Sequence, residues 1–379
     1  MSVWGDLVGQ GPIVETLQRS IDRDMTHAWL FTGPPGSGRS NVARAFAAGL
    51  QCEAGGCGEC NACRTALSGA HPDVTLVRTE RLSIEVDEVR EHVRTASLRP
   101  SMGRWQVLIV EDADRLTEKA ADALLKTLEE PPPRTVWMLC APTAEDVVVT
   151  IRSRSRQVVL RTPPTDEVAQ MLVRRDGVDE VRALEAARAA QGHVGRARAL
   201  AVNEAVRGRR KEILAIPTSL RDLGACLSAA ANLNDSAQAH ATERAEDLDS
   251  AELRDLRSAW GVEDRGRRPT GYQGHLSALE RDQKRRRTRL ARDAIDGALI
   301  DLMSLYRDVL AAQLGTDAEM VNVDMVETVD ELAGGSEPEA TLGHLDAILE
   351  CREALTANAA PQLALERLMI RLARGPVEN

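Results

Sequence analysis

The period of the apolar positions changes along this chain. Over the first 163 residues, short continuous apolar runs alternate with stretches repeating every three or four residues. The run AWLFTG, Ala28 to Gly33, predicts a strand, as do Asp73 to Val77, Trp105 to Val110, Thr135 to Cys140 and Val158 to Leu160. Between them, Ser40 to Leu50 and Glu85 to Ala96 read as helices, with another helix after Val110. Buried strands separated by helices imply an α/β domain, a parallel sheet covered on both faces. Pro163-Pro164 marks a boundary, and residues 164–206 read as a small helical unit turning at Gly192. No later segment has strand character. The region 207–379 is expected to be all-α, with a charged, irregular stretch at 232–289. Leu290, Ala294, Ala298, Leu302, Leu305 and Val309 recur at helical steps and predict a helix over 290–314, followed by helices over 339–356 and 361–374.

The first strand runs into GPPGSGRS, Gly33 to Ser40, which opens a helix. Strand, glycine-rich loop and helix are what a phosphate-binding loop needs. Gly33, Gly36 and Gly38 let backbone amides turn inward, and the helix N-terminus adds partial positive charge. Ser40 is the candidate magnesium ligand. Arg39 stands where the pattern places lysine, and a planar guanidinium does not replace a compact ammonium. A glycine-rich turn without a ligand is the plainer alternative.

The strand Val107 to Val110 ends in Glu111-Asp112. Nucleoside triphosphatases of this kind usually carry Asp, which supports magnesium, then Glu, which orients water. Here the order is exchanged, and misplacement of this size costs on the order of 100-fold in rate. Weak ATP and magnesium binding with negligible hydrolysis is expected. The competing reading is that the two acids simply solvate a strand end.

Cys52, Cys57, Cys60 and Cys63 fall within one short loop, 51–64, with Gly55, Gly56 and Gly58. Four sulfurs suit a closed tetrahedral zinc site with a structural role. An iron–sulfur cluster and free thiols are the rival readings. His71 reads as a loop residue, and Cys140, Cys226 and Cys351 as isolated residues.

Composition narrows the picture. The chain has 379 residues and a net charge of −10, with few aromatics. Overall acidity argues against a large nucleic-acid-gripping surface of its own, so DNA contact would be local or shared. No stretch is long and apolar enough to span a bilayer and the start has no leader-like pattern. A cytoplasmic setting, where clustered thiols bind metal, is therefore expected. Two basic clusters, Arg265, Arg267 and Arg268, then Lys284, Arg285, Arg286, Arg287, Arg289 and Arg292, follow acids at Glu243, Glu246, Asp247, Asp249 and Glu252. They are read as meeting phosphates or an acidic partner, or as a charged helical excursion that solvates itself.

Several segments resemble one family, the clamp-loader subunits of bacterial DNA polymerase III. WGDLVGQGPIVETLQRSI resembles the family's N-terminal segment, LTEKAADALLKTLEEPP (Leu116 to Pro132) is similar to a highly specific family stretch, and NAAPQLALERL (Asn358 to Leu368) resembles its C-terminal collar helix. The cysteine loop sits where gamma-type and delta-prime-type members carry zinc. IRSRS, Ile151 to Ser155, looks like the family's Ser-Arg-Cys motif with serine for cysteine.

The resemblance implies an AAA+ domain at 1–163, a helical lid at 164–206 and a collar at 207–379. It implies partnership with gamma/tau and delta subunits in a five-chain assembly that places the beta sliding clamp on primed DNA. It makes Arg154 an arginine finger that reaches a neighbour's ATP, and Arg196 the counterpart of a phosphate-sensing arginine. Surface residues without such roles are the alternatives for both. Gamma-type members keep the lysine and the Asp-Glu order; departure at both points to the delta-prime type. An active gamma-like ATPase and a stand-alone zinc-stabilised DNA-binding or repair protein are the other functions considered.

Overall fold

The computed structural model describes residues 2–23, 25–77, 83–259 and 272–374. The chain divides into two compact units, Met1–Val202 and Asn203–Asn379.

The first unit opens with α1 (Gly11–Asp22), β1 (Ala28–Thr32) and α2 (Arg39–Gln51). Then come α3 (Asn61–Ser68), β2 (Val74–Val77), α4 (Val86–Ala96) and β3 (Gln106–Val110). The helix α5 (Glu118–Glu129), β4 (Thr135–Ala141), the single turn α6 (Val149–Arg152) and β5 (Arg156–Val159) complete the sheet region. Three helices follow, α7 (Thr165–Asp176), α8 (Glu180–Ala190) and α9 (Val194–Val202).

The five strands lie in the order β2-β3-β4-β1-β5, all parallel. Each expected strand is present within a residue or two. Because successive side chains point to opposite faces, the sheet feeds two cores. Trp29, Phe31, Val107, Ile109, Val136, Met138 and Cys140 pack against α2 and its neighbours. Leu30, Leu108, Val110, Trp137 and Leu139 pack under α4 and α5. Both faces are thus dry, which explains the unbroken apolar runs of the inner strands. β5 is an edge strand and shows it: Arg156, Gln157 and Val159 are exposed.

The second unit is all helical: α10 (Glu204–Leu214), the short α11 (Ile216–Ser219), α12 (Leu223–Ala259) and α13 (Tyr272–Gln313), then α14 (Val326–Gly334), α15 (Pro338–Thr356) and α16 (Pro361–Arg374). Its main core joins Cys226, Ala230, Leu233 and Ala237 of α12 to Ile295, Leu299 and Leu302 of α13 and Leu365, Leu368 and Met369 of α16.

The irregular stretch expected at 232–289 is corrected by two long helices: α12 covers its first part and α13 its last, and 260–271 lie outside the described residues. The helix expected at 290–314 is only the second half of α13. The reason is a seam concealed by its composition. Ala230, Leu233, Ala237, Ala241 and Ala245 are buried along one face of α12, and the next seam position is the buried Asp249. Its charge is met by Arg286, at 3.1 Å, and Arg287, at 2.6 Å, from α13. Alanines and a paired carboxylate carry a helical interface with little hydrophobic signal. These two arginines therefore pair within the unit; Arg265, Arg267 and Arg268 fall outside the described residues.

Candidate functional site

The glycine loop leaves the C-terminal end of β1, between β4 and β5. Gly36 and Gly38 have φ of 85° and 88°, the left-handed region that glycine enters without steric cost. Gly38 is also the N-cap of α2 and offers no side chain, so no side-chain cap bond forms there. The first amides of a 13-residue helix are thus left to an external acceptor, the condition for anion binding.

Arg39 turns back and donates to the carbonyl of Gly33 at 2.7 Å, joining the two ends of the loop. Ser40 is half-buried in the first turn of α2. Ser37 is buried within the loop, and its hydroxyl has no hydrogen-bond partner among the described residues. Above the loop, the turn before α9 seats His193 on Gly36: a Cβ placed on that glycine would lie 2.5 Å from the histidine's Cβ. Desolvation, and next the nearby Arg196, hold the His193 imidazole below its usual range. Arg196, in the first turn of α9, gives its backbone N–H to His193 Nδ1 at 3.2 Å. His193, which the sequence reading missed, is thus brought against the loop.

Glu111 and Asp112 lie at the C-terminal end of β3, separated from the loop strand by β4. Glu111 is engaged by Arg44 of α2 at 2.7 Å, with both side chains mostly buried. A guanidinium thus already neutralises the acid expected to support magnesium. Arg44 was also missed; a single arginine within a helix carries no signal of a partner 67 residues away.

The four loop cysteines converge. Their sulfurs all lie within 4.8 Å of one another. Cys52 stands 3.7 Å from Cys57 and 3.8 Å from Cys60. Tetrahedral sulfurs about 2.3 Å from one zinc ion would be about 3.8 Å apart, so the set fits a four-coordinate metal. Amides help: the N–H of Cys57 points to the Cys52 sulfur, that of Cys60 to Cys57, and that of Cys63 to Cys60. Burial pushes the Cys52 thiol up, but the amides of Cys57, Gly56 and Ala54 outweigh it and bring it down to about 6. The N-terminal segment clasps the same loop. Val3 N–H and the Ser2 hydroxyl donate to the Gly56 carbonyl, and the Trp4 indole donates to Gly55.

Arg154 sits in the turn between α6 and β5. One terminal nitrogen donates to the Thr150 carbonyl at 3.0 Å, and the other pairs with Glu129 at the end of α5 at 2.6 Å. Its neighbours differ. Arg152 reaches the Ala144 carbonyl and Glu145, and Arg156 lies 5.0 Å over the Trp29 ring. Glu129 belongs to the Leu116–Pro132 stretch, whose pairing with Arg154 no periodicity announces.

A strand-loop-helix cradle on a five-stranded parallel sheet, with the acid strand displaced by one position, defines an AAA+ P-loop-type fold. Two segments then give the family. Residues 9–164 match the family DNA polymerase III, delta subunit, and residues 289–374 match DNA polymerase III, delta subunit, C terminal. The chain belongs to the DNA polymerase III clamp-loader family. It is 36% identical over 165 residues to the delta-prime subunit of Pseudomonas aeruginosa, covering 42% of this chain and 50% of that one. It is 34% identical over 175 residues to the tau/gamma subunit of Haemophilus influenzae, covering 45% of this chain and 25% of that one. The chain thus spans a half or less of the length of these relatives. Among solved structures, a DNA polymerase III gamma subunit-related protein of Thermotoga maritima is similar over 95% of this chain and 98% of its own, at 17% identity and a TM-score of 0.43. No helix among the described residues is long and apolar enough to cross a membrane.

Proposed function

We propose that this chain is a delta-prime-type subunit of a clamp loader, assembling with gamma/tau and delta subunits to place the beta sliding clamp on primed DNA. Its service is to present Arg154 to the nucleotide of a neighbouring ATPase subunit. The observation that carries this reading is the contrast between two sites in one domain. At its own loop, Arg39 closes on Gly33 and Glu111 is taken up by Arg44, an arrangement that disfavours magnesium and a reactive triphosphate. At the α6–β5 turn, Arg154 is about one-third exposed on a short turn. A guanidinium supplied in trans stabilises charge spreading over a transferred phosphoryl group. The cysteine set fits zinc as a structural ion, and residues 165–202 serve as a lid over the loop.

The test is ATP turnover by the reconstituted assembly. Arg154→Ala is expected to leave assembly intact and to lower DNA- and clamp-stimulated turnover, with slower clamp loading. Arg152→Ala and Arg156→Ala are expected to do less, since the Ser-Arg-Cys-like motif places only the middle arginine at that position. Parent-like turnover from an intact Arg154→Ala complex refutes the trans-acting role. Steady ATP hydrolysis by the isolated chain, near 1 per second (~1 s⁻¹) as in working enzymes, would favour the gamma-like reading.

A further inference from the structure

We propose that Glu129 is a positioning residue for Arg154: it holds the guanidinium as a stand-in for phosphate and is exchanged for the triphosphate of the neighbouring subunit. This rests on the trans-acting reading of Arg154 and adds a control to it.

Arg154 is fixed from two sides. One nitrogen is tied to the Thr150 carbonyl at 3.0 Å and the Ser153 hydroxyl at 3.3 Å, both within its own turn. The other meets the Glu129 carboxylate at 2.6 Å, the sole contact of the set that comes from α5 and the sole one with a charge. A backbone carbonyl and a neutral hydroxyl thus set where the side chain leaves the turn, and a displaceable anion occupies its outer end.

A carboxylate and a phosphate present similar oxygen pairs to the same planar fork. A guanidinium bound to one is correspondingly less available to the other. Both partners of the pair are well exposed, 36% for Arg154 and 51% for Glu129. Exposed pairs are weak and screened by salt, so a dense negative charge such as a nucleoside triphosphate can take the fork over. An isolated chain then carries its arginine neutralised and pre-placed, and an assembled one releases it only against a phosphate.

Neither neighbouring arginine has this arrangement. Arg156 is laid over Trp29, and Arg152 of α6 reaches the Ala144 carbonyl and the Glu145 carboxylate through one and the same nitrogen, at 3.5 and 3.7 Å, both from the segment just before its own helix.

Two measurements separate this idea from the reading it rests on. The first uses the isolated full chain at low salt and follows adduct formation at Arg154 by phenylglyoxal, read by mass spectrometry, with and without inorganic tripolyphosphate. Glu129→Gln is expected to speed labelling by about two- to five-fold, the weight of an exposed pair, and Glu129→Asp to stay near the parent. Tripolyphosphate is expected to protect Arg154, and to do so at lower concentration in Glu129→Gln. Unchanged labelling in that variant means that the pair does not hold the arginine in solution, and overturns the proposal.

The second uses the reconstituted assembly and compares kcat/KM for ATP. Removal of the competing carboxylate is expected to raise kcat/KM by a factor within the same range, less where other ATP sites dominate turnover. A merely structural ion pair would leave kcat/KM unchanged, and an orienting role in the transition state would lower it; either result overturns the proposal. Arg154→Ala in the same assay keeps the two questions apart. Turnover insensitive to Arg154→Ala defeats the trans-acting reading itself, whereas sensitivity to Arg154→Ala without a rise in Glu129→Gln defeats only the role of Glu129.

Discussion

At Asp73 one carboxylate takes on four donors. It receives the N–H and hydroxyl of Ser101 at 2.6 and 2.8 Å, and the N–H groups of Met102 and Gly103 at 2.8 and 2.5 Å. Gln51 continues the clamp, accepting from Arg104 N–H at 2.8 Å. The loop before β3 is thus nailed down although Met102 stands 78% exposed. Burial pushes the Asp73 carboxyl up, but the donors outweigh it and hold it below the usual carboxylate range. A depressed folded pKa means that this stabilisation is fully present above the unfolded value, about 3.9, and is lost as pH falls through the folded value. Asp73→Asn is therefore expected to lower stability at neutral pH and to flatten the acid limb below about pH 4. Denaturant unfolding from pH 3 to pH 7 (~3–7, spanning the unfolded value) checks it. An acid limb as steep as the parent's would show that other carboxylates govern it.

Arg39 and Cys52 show what a sequence discloses at this scale. The residue types, their spacing and the departures from the usual pattern were legible, because covalent order places them within a few positions of one another. Arg44 beside Glu111, His193 on Gly36 and Glu129 beside Arg154 were not. Each joins positions far apart in the chain, and a lone charged side chain has no periodicity to announce its partner.

At the scale of elements, the cysteine loop and α3 depend on one another. Cys60 is the N-cap of α3, its sulfur accepting from Cys63 N–H at 3.4 Å. The same loop holds Ser2, Val3 and Trp4. Replacing Cys57 and Cys60 by serine is expected to remove about one metal ion per chain, as for a four-sulfur site. It is also expected to open 51–72 to proteolysis and change Trp4 fluorescence while the sheet domain stays folded. Elemental analysis and limited proteolysis decide it; a parent protein isolated without metal would contradict the assignment.

In the second unit, α10 is tied to α13 by charge. Arg210 donates to Asp301 at 2.8 Å, with both side chains over 90% buried, and also contacts Asn322. Asp308 in turn accepts from the backbone and amide of Asn322 at 2.7 and 2.8 Å. Breaking one member of a buried pair leaves an uncompensated charge. Arg210→Met is expected to cost about 3–5 kcal/mol, read from denaturant unfolding of the full chain. A loss within about 1 kcal/mol, the scale of an exposed pair, would show that solvent reaches Asp301.

For the whole molecule the division at Val202 matters most. Each unit has its own core: the two faces of the sheet in the first, and the seam of α12, α13 and α16 in the second. A chain ending at Val202 is expected to stay folded and to keep its cysteine site, because none of those contacts lies beyond it. It is also expected not to join gamma/tau and delta subunits, if residues 207–379 act as the collar. Gel filtration of mixtures reads this directly, and normal assembly of the truncated chain would overturn the collar assignment.

The sequence by itself determined the alternation of buried strands and helices, the phosphate-loop setting and the cysteine set, since all three rest on local order and on side-chain period. It also carried the family resemblance, through the Leu116–Pro132 stretch above all. Only the tertiary structure decided that α12 and α13 run where the charge pattern suggested irregular chain. It alone placed Arg44 on Glu111, His193 on Gly36 and Glu129 on Arg154. A paired buried charge and an exposed one are the same letter in the chain; which of them it is depends on a partner that folding brings from elsewhere.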